Sequence, residues 1–370
     1  MNIVIVAGEV SGDLLGGKLV TSLKKLQKNI SITGIGGDSM RSAGMHTLFD
    51  VNETSVVGIV EVLKHYPRLR RILSKLKQHI ATTNPDVLVL IDYPEFNLKL
   101  AEFAKQRGIK VLFYVSPQVW AWRTSRINKI RESIDLMAVL FPFELEFYQK
   151  ENVPCCLVRH PILADVENFH SENKSDTAAI TIGLLPGSRK NEIRRLLPIM
   201  FAAAELLYAE NSNLKFIVPI APGRSRDEVE KHAPKNLPVQ FSTENIYQTI
   251  SNCDVLAVAS GTATLQIALM GKAMVILYKI SPLTYHLFGH MVNVKHIGLA
   301  NIIMDKRVFT ELIQHDADVK TLKKELEKLL NDTQRGSKMN AVRKSIFNKL
   351  NLGISSDELA QKALVLATKG

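Results

Sequence analysis

The sequence predicts an α/β protein made of two doubly wound domains facing a cleft. Two observations carry this. Short, wholly apolar, β-rich runs alternate with helically spaced leucines through both halves of the chain. The runs lack the apolar–polar alternation of a half-buried strand, so they belong to parallel strands covered by helices on both faces. A chain of 370 residues has room for two such domains, each with its own core.

Taken in order, residues 3–7 give the first strand, ended by Gly8, and Leu15, Leu19, Leu23 and Leu26 then fall at helical spacing. Further buried strands are expected at 30–35, 87–91, 111–115 and 136–140, and a strand-like run holds Cys155 and Cys156. His160-Pro161 and the polar stretch 167–177 read as the linker. A second series follows, with strands at 179–185, 216–220, 255–259 and 274–278. From Val319 the pattern is helical, with Leu322, Leu326, Leu329 and Leu330 on one face. The domains expected are 1–166 and 178–345, with C-terminal helices at 346–370 free to pack back on the first domain. In open sheets of this kind, ligands bind at the carboxyl ends of the strands.

Hydrophobic residues make up 46% and charged residues 22%, as in a globular protein. The net charge of +11 fits nucleic acid, an anionic membrane or phosphorylated substrates. No Arg/Lys tract is interleaved with aromatics and no zinc-finger spacing occurs, so nucleic acid is the least supported partner. The three cysteines, Cys155, Cys156 and Cys253, lack metal spacing and read as buried thiols of a reducing compartment. No apolar run is long enough to span a bilayer, and the first residues lack the features of a signal peptide. The expectation is a cytoplasmic protein able to touch a membrane.

The sharpest signals are two loops. Residues 183–192 read Gly-Leu-Leu-Pro-Gly-Ser-Arg-Lys-Asn-Glu, and residues 260–266 read Ser-Gly-Thr-Ala-Thr-Leu-Gln. Each follows a buried-strand run and opens a helical pattern. Strand, small-residue loop and helix start gather backbone N–H groups and the positive end of a helix dipole around one point. That arrangement cradles a pyrophosphate, and Arg189 adds a cation able to bind it at two points. Neither loop is a P-loop or a Gly-x-Gly-x-x-Gly fingerprint. Gly187, Ser188 and Arg189 with Ser260, Gly261, Thr262, Ala263 and Thr264 are the candidate diphosphate site.

In the first half, 8–13 reads Gly-Glu-Val-Ser-Gly-Asp, where Glu9 and Ser11 stand near the cleft; Ser11 or Asp13 either serves a ligand or caps the next helix. Asp92 follows the strand 87–91, where a carboxylate takes a proton from an attacking hydroxyl or caps a helix. Ser116 opens a loop holding both tryptophans, Trp120 and Trp122, which pack in the core or wall a sugar or lipid site. Val56, Val57, Ile59, Val60 and Leu63 form an apolar patch followed by Lys64, Arg68, Arg70, Arg71, Lys75 and Lys77. This describes an interfacial element on an anionic membrane or a plain surface helix, split in two by Pro67. In the second half, Asn301 and Gln314 are uncharged polar residues amid apolar ones, suited to a base or sugar or simply to a surface helix and loop.

These motifs, with Gly34-Ile35-Gly36-Gly37, Gly58–Leu63, the run 91–97, Ser-Pro-Gln-Val-Trp-Ala-Trp-Arg at 116–123 and the run 311–314, resemble those of the lipid-A-disaccharide synthase family in content and order. The resemblance implies an inverting glycosyltransferase (a hexosyltransferase) of the GT-B fold. It implies transfer from UDP-2,3-diacylglucosamine to 2,3-diacylglucosamine 1-phosphate (lipid X). The products would be the β-1,6 disaccharide of lipid A biosynthesis in Gram-negative bacteria and UDP. It implies Asp92 and Arg189 as catalytic residues, a peripheral place on the inner membrane and no cofactor or metal, Arg189 and helix N-termini serving the departing UDP instead. A homo-oligomer is left open.

Two positions depart from the family pattern. Gln266 stands where an acid usually meets the ribose hydroxyls, and Arg159 stands where a glycine usually precedes His160-Pro161. The alternatives are another UDP-sugar enzyme of the same fold, such as a UDP-N-acetylglucosamine 2-epimerase, or a non-catalytic paralogue that binds lipid or UDP-sugar.

Overall fold

The structure, a computed structural model, describes residues 1–54, 59–117, 119, 126–170, 179–221, 223–280 and 295–368, without the side chains of 59–65. By its internal contacts the chain forms two units, Met1–Pro161 with Leu350–Gly370, and Ile162–Lys349.

The first unit holds a seven-stranded parallel sheet in the order β3-β2-β1-β4-β5-β6-β7. Its strands are β1 (Asn2–Ala7), β2 (Ser31–Gly36), β3 (His46–Asp50), β4 (Val87–Ile91), β5 (Lys110–Tyr114), β6 (Leu136–Val139) and β7 (Cys155–Leu157). All five residues of β4 are fully buried, as an unbroken apolar run requires. The terminal helix Ser356–Thr368 packs on the helix Val10–Leu26 and on β4 and β5. Asp357 fixes it there by accepting from Ser22 Oγ at 2.6 Å and Lys25 Nζ at 2.8 Å.

The second unit is a six-stranded parallel sheet, order β10-β9-β8-β11-β12-β13. These are β8 (Ile180–Leu185), β9 (Leu214–Pro219), β10 (Val239–Ser242), β11 (Val255–Ala259), β12 (Ala273–Tyr278) and β13 (Thr310–Ile313). In both sheets the chain reverses its strand order beside the first strand, and the loops there gather on one edge.

Three strands escape the sequence pattern: β3, β10 and β13. Each lies at a sheet edge and each is only partly buried. An edge strand needs no continuous apolar run, and β3 (His-Thr-Leu-Phe-Asp) carries polar ends. Pro67 does not split its segment: one helix runs Ile59–Thr83 with Pro67 inside. Ile72, Leu76 and Ile80 lie on one buried stripe and hold the helix through the lost hydrogen bond. Glu167 and Asn168 belong to the helix Ile162–Asn168 rather than to a linker.

Candidate functional site

A cavity of about 1300 Å³ lies within the second unit. Its floor is the loop after β8 and the loop after β11, supplying Gly187, Ser188, Arg189, Ser260, Gly261, Thr262, Ala263 and Gln266. The long helix Lys190–Glu210 and the helix Thr262–Leu269 both start at this floor. Their first N–H groups and dipoles favour an anion there.

Gly187 has φ +98°, and a Cβ on it would stand 2.3 Å from Glu192 Oε2, so the turn needs glycine twice over. Glu192 closes a capping box: its Oε2 accepts the Arg189 backbone N–H at 3.2 Å, and its Oε1 accepts from Arg189 Nη1 at 3.0 Å. Arg189 is 73% exposed and, among the described residues, held only by this pair, so it can turn to an incoming phosphate. A second cation borders the cavity. Arg224 donates from Nε to the Ser188 carbonyl at 2.9 Å and stiffens the cradle from outside. The sequence reading missed it, although Pro-Gly-Arg at 222–224 follows a strand end and carried the signal.

Not every predicted donor residue reaches the cavity. Thr264 is fully buried and donates to the Gly261 carbonyl at 2.7 Å, so it shapes the loop and offers no ligand group. Asn301 is also fully buried and wholly occupied. Its Nδ2 donates to Phe309 O at 2.9 Å and to Glu311 Oε1 at 2.8 Å, and its Oδ1 accepts the N–H groups of Val308 and Phe309. Glu311 in turn accepts from the backbone of Ile297 and Gly298. Ser260 Oγ donates to that same Ile297 at 3.0 Å, so Asn301 positions the cradle through two intermediaries. Gln314, at φ +51°, accepts the Ile280 N–H at 2.9 Å and does not line the cavity. An uncharged polar residue among apolar ones reads alike in sequence whether it bonds a ligand or the backbone.

In the first unit, the loops after β1, β4 and β5 form a second cluster. Asp92 and Tyr93 both take left-handed backbone, φ +50° and +51°, and so does the β-branched Val115, φ +68°. Such strain persists only where the surroundings impose it. Here Asp92 N–H is bound to the Tyr114 carbonyl and Val115 N–H to the Ala138 carbonyl. Asn97 reaches back from the helix Pro94–Lys105 to the carbonyls of Ile91 and Asp92. Asp92 is no helix cap; Tyr93 holds that place. Burial pushes the Asp92 carboxyl above its ordinary range, the Tyr93 N–H draws it back, and the charge of Glu9 raises it further. A carboxylate that prefers its proton is a better base.

Glu9 and Ser11 are exposed at the start of the helix Val10–Leu26, and Glu9 makes no capping bond. Asp13 does not cap its own helix. It accepts from the backbone of Gly37, Ser39 and Met40 at 2.6, 2.9 and 3.2 Å and pins the loop after β2. Ser116 is buried and donates to Glu144 Oε1 at 2.7 Å, so it anchors its loop. Trp120, Trp122, Val56 and Val57 lie outside the described residues, as do the side chains of Ile59, Val60 and Leu63. Arg68 is paired with Glu53 at 3.0 Å. Arg70, Arg71 and Lys75 border a depression of about 440 Å³ with Tyr66. Arg159 donates from Nε to Asn351 at 2.6 Å, tying the chain's exit from the first unit to its return.

Residues 3–364 match the family model described as lipid-A-disaccharide synthetase. The chain belongs to this family. With its members it is a glycosyltransferase of lipid A biosynthesis. It is 42% identical to the lipid-A-disaccharide synthase of Geobacter metallireducens, covering 99% of this chain and 97% of that one. It is 40% identical to lipid-A-disaccharide synthase 1 of Legionella pneumophila subsp. pneumophila, covering 91% and 90%. Among solved structures it is similar to a UDP-GlcNAc 2-epimerase from Neisseria meningitidis bound to UDP-GlcNAc, TM-score 0.66, 11% identity, covering 99% and 100%. The glycotransferase of kitacinnamycin gives 0.63 at 12% identity over 99% of both chains. At such identities these two speak for the fold alone, the two-domain GT-B arrangement of the family. No described helix is long and apolar enough to cross a membrane.

Proposed function

We propose that this protein joins UDP-2,3-diacylglucosamine to 2,3-diacylglucosamine 1-phosphate, giving the β-1,6 disaccharide and UDP. The observation that carries the proposal is the cavity of the second unit, with a glycine-loop cradle flanked by Arg189 and Arg224. It is shaped for a nucleoside diphosphate. Charge grows on the leaving diphosphate through the transition state, so donors fixed in advance lower the barrier there. Two guanidinium groups and two helix starts supply that charge, and the reaction proposed uses no metal or cofactor.

Asp92 is proposed as the base for the acceptor's 6-hydroxyl. Attack by that oxygen on the anomeric carbon, from the face opposite UDP, inverts the configuration. Val10 and Leu14, 56% and 57% exposed on the helix Val10–Leu26, give apolar surface beside the charged loop and suit an acylated acceptor. The acyl chains place both substrates in a membrane, and Arg70, Arg71 and Lys75 are proposed to hold the protein on the inner membrane's anionic surface.

The test is release of UDP from the two acylated substrates, with UDP-N-acetylglucosamine as the unacylated control and EDTA in a parallel sample. Release that needs both acylated sugars and survives EDTA is the expected result. Turnover of UDP-N-acetylglucosamine alone would assign an epimerase or another transferase of this fold, and loss of activity in EDTA restored by added metal would refute the metal-free account.

A further inference from the structure

The cavity has a wall remote in sequence from its floor. The helix Ile162–Asn168 packs on the helix Thr262–Leu269, which carries Gln266. Asp165, Asn168 and Phe169 from this wall line the cavity together with Tyr247. The Phe169 and Tyr247 rings meet at 5.9 Å and 35°, so the wall and the helix Ile246–Asn252 are packed against each other.

Two polar groups there have no use within the described protein. The Tyr247 hydroxyl is buried, on a residue 6% exposed, and has no hydrogen-bond partner. A buried hydroxyl left unpaired costs about 1–3 kcal/mol, so such groups persist where a ligand completes them. Gln266 lies near this hydroxyl without a hydrogen bond to it, and the Asp165 charge is felt at the same oxygen. Burial is the main force keeping the phenol protonated, with Asp165 adding to it, so Tyr247 is a donor at neutral pH. Asp165 is exposed to the cavity and makes no hydrogen bond or ion pair among the described residues. Gln266 lies one turn into the helix that the Ser260 loop opens, so this trio and the diphosphate cradle line one cavity.

We propose that Asp165, with the Tyr247 hydroxyl, binds the ribose hydroxyls of the nucleoside diphosphate and supplies the charged acceptor that Gln266 lacks. This rests on the donor reading above. A ribose diol offers two O–H donors, and a carboxylate accepts both at once, which an amide with one carbonyl cannot do. Tyr247 donates to one of the hydroxyl oxygens and is thereby satisfied.

The test is calorimetric binding of UDP and of 2′-deoxy-UDP to the full chain. Wild type is expected to bind UDP roughly ten-fold more tightly than 2′-deoxy-UDP, the worth of one hydrogen bond to a charged group. Asp165→Asn should lose most of that preference by weakening UDP alone, and Tyr247→Phe should weaken UDP several-fold. Gln266→Glu should gain nothing, because a second carboxylate beside Asp165 adds repulsion. A several-fold tightening in Gln266→Glu, or an intact preference in Asp165→Asn, would overturn the assignment. Since Asp165 is exposed, Asp165→Asn and Asp165→Ala should melt like wild type, and their agreement guards against a folding artefact. If wild type bound no UDP at all, the donor reading would fall, an outcome distinct from binding without preference for the ribose.

Discussion

Asp92 is held against its own electrostatics. Burial and Glu9 oppose its charge, and only the Tyr93 N–H favours it. A raised carboxyl pKa means that activity, if Asp92 is the base, fades as pH falls through a range above that of ordinary carboxylates. The acidic limb of kcat should lie there, and Glu9→Gln should move it down by removing the neighbouring charge. Asp92→Asn should lower turnover by ~10²–10⁴, the usual worth of a positioned base, with UDP affinity little changed. Its stability should move the other way. A carboxyl raised on folding penalises the folded state at pH values where it is ionised, and that penalty is absent in acid. Asn removes it, so Asp92→Asn should melt at or above wild type at pH 8, with the gap closing toward acid pH. A variant that kept near-full activity would take Asp92 out of the mechanism, whatever its melting temperature.

The strand–loop–helix units show at element scale why some of the site was legible and some was not. Gly187-Ser188-Arg189 is read from sequence because one local run contains the strand, the turn glycine and the helix start. The turn tolerates no substitute. Gly187→Ala would place a Cβ at φ +98° and against Glu192, straining the backbone by roughly 1–3 kcal/mol and displacing the capping carboxylate. UDP affinity should drop about ten-fold or more, while the first unit, folded around its own core, keeps its melting transition. Glu192→Gln retains a cap at the third helical position but frees Arg189 from its ion pair. It also removes a negative charge from the cradle, so UDP should bind several-fold more tightly, and more so at low salt. Weaker binding in calorimetry would mean that Glu192 orients Arg189 usefully. Arg224 was overlooked although its run follows a strand end, whereas Asp165 and Tyr247 were not legible. These two come from separate elements and share no run of sequence, and the packing of Phe169 on Tyr247 and of the helix Ile162–Asn168 on the helix Thr262–Leu269 brings them to the floor. Asn301 was misread for the opposite reason: its local run looked like a site, while Phe309 and Glu311, eight and ten residues on, consume every polar atom it has.

At the scale of the whole molecule, the chain leaves the first unit at Val158–Pro161 and comes back at Leu350–Ile354, and the two passages are bound side by side. Val158 bridges Ile354, Arg159 N–H donates to the Ile354 carbonyl, and His160 N–H donates to that of Leu350. Gly353 is part of the seam, since a Cβ there would stand 2.2 Å from the Val158 backbone. His160 is the titratable group at this crossing. It is 8% exposed, its ring lies 5.1 Å from that of Phe141, and burial pushes its pKa down to about 4. In the unfolded chain a histidine titrates near ~6.5. Between these values the unfolded state holds a proton that the folded state refuses, so stability rises with pH across this window and is lost as pH falls through it. The difference amounts to roughly 3 kcal/mol at full development, at about 1.4 kcal/mol per unit. Above about pH 7 His160 is neutral in both states and contributes no slope. Urea unfolding followed between pH 7 and 4 should therefore show a steeper acid loss in wild type than in His160→Leu, which has no proton to take up. The variant is expected to start lower at pH 7, having lost the imidazole's contacts, and to converge on wild type in acid. Parallel curves for the two proteins would mean that His160 is reached by water as soon as it is protonated, and the acid sensitivity of the fold would then belong to its carboxylates.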